Sequence, residues 1–363
     1  MAMSDSAASS LVDFVASMGG ERSLRVEENY GDGFVRLRVA EAERRQAKHD
    51  IRCIEDVVIE MLRNSRDAGA ENIFVATTRE GATRYLTVLD DGCGIPQEMQ
   101  DKIFEARVTS KLESVHMDRW GIHGRGMALY SVRENAQSAR VMSSAPGLGS
   151  AIRIVTDAES LAERKDQSTW PTLGTDDEGN QVVATGPHNI VRTCCEFALE
   201  ERGRCNVYFG SPAEMVATAR RRVKPTVEGS SLLFIDDLSE LPVLERMHAA
   251  ADASELMRVS GSLGLDMSER TAHRIIAGQI HPQRSVLKRL THKSDKSIER
   301  AVDLMKDRRG LKISKGDAEE FSRAVERDFR ILAEKYYLNL SDEPRIRVSR
   351  GKIVVTFDID ESD

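Results

Sequence analysis

The feature that most constrains this chain is a long charged helix expected from about Ala40 to Ala68. Its apolar residues Ile54, Val57, Val58, Met61 and Leu62 recur at i, i+3, i+4, i+7 and i+8. One apolar stripe needs a second layer to bury it, and the next residues supply the material. Gly69 ends the helix, and Asn72 to Thr78 and Tyr85 to Leu89 are rich in β-branched and aromatic residues, as strands are. The second run stops at the turn cluster Asp90-Asp91-Gly92-Cys93-Gly94. A short helix, Gln97 to Phe104, leads into a polar stretch without a period up to Trp120, expected to be a mobile loop. Gly121 to Gly126 is expected to open a helix reaching about Ala136. Two more strands, Ala139 to Ser143 and Ala151 to Val155, flank the turn Ala145 to Gly149. The fold class expected for residues 1–156 is an α/β two-layer sandwich with a mixed sheet.

The full chain of 363 residues, 40% of them apolar, is long enough for two or three domains. Residues 157–250 read as a linker or insertion followed by a small α/β connector. Its elements are a helix Ile190 to Leu199, a strand Cys205 to Phe209, a helix Ala213 to Arg222 and a strand Ser231 to Ile235. Residues 251–363 read as a mainly α-helical, locally basic domain ending in a helix, Asp317 to Tyr337, and a hairpin around Arg350-Gly351. The formal net charge of −7 gives no whole-chain case for nucleic acid or membrane. Between Arg258 and Lys315, however, fourteen Lys/Arg stand against six Asp/Glu, leaving −15 for the rest of the chain. That segment is where an acidic partner such as DNA would bind. The five cysteines form no CxxC pair, so they read as reduced thiols, and no apolar run is long enough to span a bilayer. A cytoplasmic location is the expectation.

Three clusters carry candidate chemistry. Glu60 and Asn64 sit four apart on the first helix and share a face, with Asp67 one turn on. A carboxylate there could take a proton from water, and an amide oxygen could ligate Mg²⁺. The alternative is a solvated charged face. At a strand end, Asp90-x-Gly92-x-Gly94 sets a carboxylate beside two glycines that admit a close approach to the backbone, and a carboxylate accepts the hydrogen bond of an exocyclic amine. The alternative is a plain hairpin turn. Gly121-x-x-Gly124-x-Gly126 precedes a helix, where free N–H groups favour phosphate oxygens. It is neither a GxGxxG dinucleotide loop nor a Walker loop, and no GxxxxGK[ST] occurs in the chain.

The three clusters occur in order, each at the junction its role requires. Glu60-Met61-Leu62-Arg63-Asn64-Ser65-Arg66-Asp67-Ala68-Gly69-Ala70 resembles the N-box of the GHKL (Bergerat-fold) ATPases, a superfamily that includes gyrase, heat-shock chaperones, sensor histidine kinases and MutL. Asp90 to Ile95 resembles their first glycine box, Gly121 to Gly126 the second, and Gly147-Leu148-Gly149-Ser150 the third. The resemblance spans roughly residues 35 to 156, and Asn64 to Ala70 with Thr109-Ser110-Lys111 is most similar to MutL. It implies ATP and Mg²⁺ as cofactors, Glu60 as general base, Asn64 as the metal ligand and Asp90 as the adenine contact. Further nucleotide contacts implied are Asp67, Gly92, Gly94, Ile95, Thr109, Lys111, Gly121, Gly124, Arg125, Gly126, Met127 and Ser150. Ser150 stands where many relatives carry Thr, which puts one phosphate or sheet-edge contact in question.

The use of the ATP is less constrained. Slow hydrolysis driving a conformational switch in a DNA-associated process is the first expectation. A protein kinase acting on a partner and a chaperone-like ATPase are the alternatives. His49, the one His ahead of Glu60, lacks the neighbours of a phosphoacceptor. Leu256 to Leu290 resembles a repressor-type helix-turn-helix, with Leu263-Gly264-Leu265 as the turn, Ser268 as a cap, and Arg270, Thr271 and Arg274 facing a groove. The alternative is a helical bundle with solvated basic residues. The Phe321 to Tyr336 stripe with the Lys352 to Phe357 strand could form a dimer seam or pack within the chain.

Overall fold

The computed structural model describes residues 26–31, 33–39, 41–109, 116–118, 121–123, 126–176, 178–226, 237–291, 315–336, 338–340, 344–349 and 352–361. The chain divides into two compact units, Met1–Ser294 and Asp295–Asp363. The boundaries expected near residues 156 and 250 therefore both fall inside the first unit.

That unit opens with strands β1 (Val26–Gly31) and β2 (Phe34–Leu37). Two helices follow, α1 (Glu41–Asp50) and α2 (Ile54–Asp67), where one helix was expected. The break is at Cys53, whose backbone is extended (φ −152°, ψ 168°) and bridges to Ala162. The Ile54 N–H bonds to the Ala162 carbonyl, and the Asp56 carboxylate accepts the Arg52 N–H. A strand-like contact from over a hundred residues away thus outcompetes the continuing helical pattern.

The central sheet contains β3 (Asn72–Glu80), β4 (Thr83–Asp90), β8 (Ser138–Ser144), β9 (Ser150–Asp157) and β12 (Asn206–Gly210), in the order β12-β3-β4-β9-β8. β12 runs parallel to β3 and the other pairs are antiparallel, so the sheet is mixed. Between β4 and β8 the expected Gln97 to Phe104 helix is two short 3-10 turns. β5 (Val108–Thr109) then pairs with β2, and β6 (His116–Asp118) pairs with β7 (Gly121–His123). Helix α3 (Ala128–Asn135) starts later than expected, because Gly121 to His123 belong to that hairpin. The 157–186 segment also has structure: β10 (Thr172–Thr175) pairs with β11 (Gln181–Thr185).

Helix α4 (Ile190–Glu200) joins α2 and α3 on one face of the sheet. The other face is covered by α5 (Pro212–Arg222), α6 (Ala253–Ser262) and α7 (Glu269–Ile276). The first 156 residues supply the sheet's four antiparallel-paired strands and helices α2 and α3 of one face, and residues 212–276 add a third layer on the other. Alternation along the strands shows it directly. Ile73, Val75, Leu86, Val88, Ile152 and Ile154 pack toward α2, while Phe74, Ala76, Leu89, Ala151 and Tyr208 pack toward α5 to α7. A strand buried on both sides reads as an unbroken apolar run, as Ile73-Phe74-Val75-Ala76 does. Phe74 stacks on Tyr208 with ring centroids 4.7 Å apart. Residues 286–291 are helical and bring Val286 and Leu290 into the α2-side cluster. The expected strand Ser231 to Ile235 lies outside the described residues.

In the second unit, α8 (Lys315–Tyr336) is followed by β13 (Leu338–Leu340), β14 (Arg345–Ser349), β15 (Lys352–Thr356) and β16 (Ile359–Glu361). β14 and β15 form the expected hairpin, and β13 pairs with β16. Phe329 of the α8 stripe stacks on Phe357 at 4.1 Å, whereas Phe321, Leu332 and Tyr336 are exposed. The stripe is thus partly spent within the unit.

Candidate nucleotide site

A cleft opens between α2, the ends of β4 and β9, and the start of α3. Its floor is apolar, formed by Met61, Ile95, Ile103, Val108, Leu129 and Ile152, and its polar groups come from Asn64, Ser65, Asp67, Asp90, Thr109 and Ser150.

Asp90 is the best-defined of these. It is the last residue of β4, paired in register with Ser150, the first residue of β9. Its Oδ2 accepts the Ser65 hydroxyl at 2.9 Å and the Ser150 hydroxyl at 2.7 Å, and its Oδ1 accepts the Gly92 N–H at 3.0 Å. Burial pushes this carboxyl above the ordinary Asp value, and the three hydrogen bonds oppose the shift without cancelling it. Ser65 was not among the expected site residues. A serine on the buried face of a helix looks like a packing residue until its partner is known. Ser150 acts at the Asp90 end of the cleft, a placement its glycine-box position alone did not specify.

The glycines of the first box serve the protein's own packing. A Cβ on Gly92 would lie 2.8 Å from the Ala68 Cβ. Gly94 has φ +72°, and a Cβ there would lie 1.9 Å from the Ala145 carbonyl oxygen. The Cys93 N–H bonds to the Ala68 carbonyl, and the Gly147 N–H to the Cys93 carbonyl. The first and third glycine boxes are therefore stacked on each other and on the end of α2. Gly94 and Ile95 line the cleft, and the Ile95 N–H is held by the Ser144 hydroxyl at 2.8 Å. Asp91, also unanticipated, accepts the Glu71 and Asn72 N–H groups at 2.8 Å each and so fixes the entry to β3.

On α2, Asn64 lines the cleft, and its Nδ2 is buried with no hydrogen-bond partner. Rotation of the amide turns its oxygen to the same place. Among the described residues no group of three or more His, Cys, Asp and Glu gathers to hold a metal. A single amide oxygen suits Mg²⁺, which takes few protein ligands and completes its shell with phosphate oxygens and water. Glu60 lies one turn before Asn64, outside the set of side chains lining the cleft, and its Oε1 accepts a hydrogen bond from the buried Arg63 guanidinium at 2.7 Å. Asp67 lines the cleft and is paired with Arg66 at 2.9 Å; Arg66 also reaches Glu201 at 3.0 Å. Burial works against the Arg66 charge, and these two carboxylates more than offset it, holding the guanidinium above its ordinary range.

The side of the cleft toward α3 is described in part. Thr109, Gly126 and the first residues of α3 line it. Met127, the residue before α3, places no side-chain cap over the first N–H groups of that helix, which leaves them available to an anion. Gly126 packs tightly on Arg107 and Val108, and its carbonyl accepts the Arg107 N–H at 2.8 Å. Gly121 lies in β7, away from the helix start where it was expected. Lys111, Gly124 and Arg125 lie outside the described residues.

A helix-borne Glu and Asn, a strand-end Asp held by two serines, and a cleft closed by a glycine-flanked helix start define a Bergerat-type nucleotide fold. Residues 49–160 match the family model "Histidine kinase-, DNA gyrase B-, and HSP90-like ATPase", and this segment is a GHKL ATPase domain. The relatives it resembles include the DNA mismatch repair protein MutL of Thermoanaerobacter pseudethanolicus, 43% identical over 192 residues, covering 51% of this chain and 25% of that protein. MutL of Thermus thermophilus is 40% identical over 84 residues, covering 23% and 15%. MutL of Anaplasma phagocytophilum is 39% identical over 80 residues, covering 21% and 12%. The chain thus spans a quarter or less of the length of these relatives. Among the described residues no helix is long and apolar enough to cross a membrane.

Proposed function

We propose that the chain binds ATP with Mg²⁺, hydrolyses it slowly, and uses the cycle as a conformational switch in a DNA-associated process. The observation that carries this reading is the presence in one cleft of a buried Asp90 carboxylate, fixed by Ser65, Ser150 and Gly92, and of Asn64, whose buried Nδ2 has no hydrogen-bond partner. Asp90 Oδ1 would accept the exocyclic amine of adenine, a donor that guanine does not present at that position. Asn64 would hold Mg²⁺, which when bound neutralises phosphate charge. Glu60 would take the proton of the attacking water, with Arg63 holding its carboxylate in place. Gly121, Gly124 and Gly126, with Lys111 and Arg125, are carried over from the family as phosphate contacts.

The DNA association is supported by the names of the relatives, each a DNA mismatch repair protein, and by the basic stretch between Arg258 and Lys315. Functionally we keep the division expected from the sequence. Residues 1–156 would handle the nucleotide, 157–250 would connect, and 251–363 would meet the partner, DNA or a second copy of the chain. Calorimetric titration with ATP, with and without Mg²⁺, tests the nucleotide reading. Wild type should bind, Asn64→Ala should lose the Mg²⁺ enhancement, and Asp90→Asn should bind weakly under both conditions. Equal binding by all three proteins would refute the assignment.

A further inference from the structure

The back of the nucleotide sheet carries a two-helix unit that the ATPase chemistry does not use. Helices α6 and α7 are joined by a tight connection in which Gly264 has φ +78°, and each is capped by a side chain, Asp252 for α6 and Ser268 for α7. Ala272 and Ile275 bury one side of α7 against α5 and α6. The opposite side presents Arg270, His273 and Arg274, all exposed and none with an ionic partner among the described residues. Ile276, beside them, is 44% exposed. Thr271, expected to face outward with the arginines, instead shares a hydrogen bond with Ser268 at 2.9 Å and belongs to the cap.

The unit is fixed to the sheet through its turn. The Thr87 hydroxyl donates to the Gly264 carbonyl at 2.7 Å, and Arg153 pairs with Asp266 while lying over the Tyr85 ring. Thr87 and Arg153 are each three residues from Asp90 and Ser150 on the same strands. The Asp266 charge is thus compensated, and on α7 itself only Glu269 opposes the basic face.

We propose that the Arg270, His273 and Arg274 face of α7 is a contact surface for duplex DNA, held rigidly on the back of the nucleotide sheet. The inference rests on the DNA-associated part of the function proposed above and gives it an address. Three features favour a duplex. The unit is a helix pair whose second helix offers one clean cationic side, the form that enters a major groove. Arginines can donate to guanine edges or phosphates, and an exposed Ile beside them can meet a thymine methyl. Outside the segment from Arg258 to Lys315 the chain carries −15, so a polyanion is repelled elsewhere and admitted here.

The test is fluorescence anisotropy of the full chain with a labelled mixed-sequence duplex of about 30 bp, from about 50 to 200 mM NaCl. ATP binding is measured on the same samples. Arg270→Ala/Arg274→Ala should bind the duplex at least about tenfold more weakly, with a log–log salt slope shallower by about 2, since each lost phosphate contact removes roughly 0.9. Its ATP affinity should match wild type. Arg221→Ala/Arg222→Ala, a charge-matched control on the exposed end of α5, should change little. If the α7 double variant binds as wild type does, or the control falls as far, this surface is wrong while the DNA-associated reading stands. If wild type binds ATP but no duplex at the lowest salt, both are overturned. If it binds duplex but no ATP, the nucleotide reading fails and this one survives.

Discussion

The two faces of the central sheet use the same strands for opposite ends. On the α5 to α7 side, Phe74, Leu89, Ala151 and Tyr208 meet Leu256, Leu263, Leu265 and Ala272 in a closed core. At its edge the Thr87 hydroxyl donates to the Gly264 carbonyl, while Arg153 Nε and His248 Nε2 are buried without a hydrogen-bond partner. On the α2 side the apolar core stops short at the strand ends, where Asp90 and Ser150 replace it and the buried Asn64 Nδ2 has no hydrogen-bond partner. A buried polar group without a partner costs about 1–3 kcal/mol. What sets the front apart is where its unmet group lies: the Asn64 side chain lines a cleft that a ligand can enter, whereas the back face is closed by packed helices. The back face is built for rigidity and the front for exchange.

The comparison can be broken where its effects are largest. Phe74→Ala should remove about 3–5 kcal/mol of stability, read as a shift in urea midpoint, because Phe74 is 1% exposed and fills the back-face core. A loss under about 1 kcal/mol would mean that face is not a core. Next in size, Asp90→Asn should weaken ATP binding by about 1.5–3 kcal/mol, the scale of a charge-assisted hydrogen bond, with little change in urea midpoint.

The pH dependence sharpens the front-face account. Burial is the leading cause that raises the Asp90 carboxyl above its ordinary value. Ionising it therefore costs the unliganded fold: the stability it contributes is full below the unfolded Asp value and is lost as pH rises through the higher folded value. An adenine amine needs the ionised form. ATP affinity should accordingly fall on acidification at a pH above that of an ordinary Asp, and the fall should be absent in Asp90→Asn. The smallest effect belongs to Ser150→Ala. Removing a hydroxyl that holds the carboxyl down should move the acid limb of the ATP-binding profile to higher pH. An unmoved limb would mean the Ser150 bond does not tune Asp90.

Much of the front face was legible in the sequence, because its elements are local. The α2 stripe, the strand ending at Asp90 and the glycine boxes all lie within one continuous stretch, although the stacking of the third box on the first did not follow from their order. What could not be read depends on distant partners. The helix break at Cys53 requires Ala162, and Ser65 acquires a role only when β4 sets Asp90 beside it. The third layer comes from residues beyond 210, outside the segment for which two layers were expected, although Ile73-Phe74-Val75-Ala76 already carried the mark of a strand buried on both faces. The glycines of the first box were expected to make room for a ring. They are required first by Ala68 and Ala145.

The most direct test of the central claim is Mg²⁺-dependent ATP hydrolysis by wild type and Glu60→Ala in parallel, with ATP binding measured for both. The account predicts that Glu60→Ala binds ATP as wild type does and turns it over about 10²-fold or more slowly, as expected when a general base is removed. Equal turnover by the two proteins, or no ATP binding by either, would contradict it.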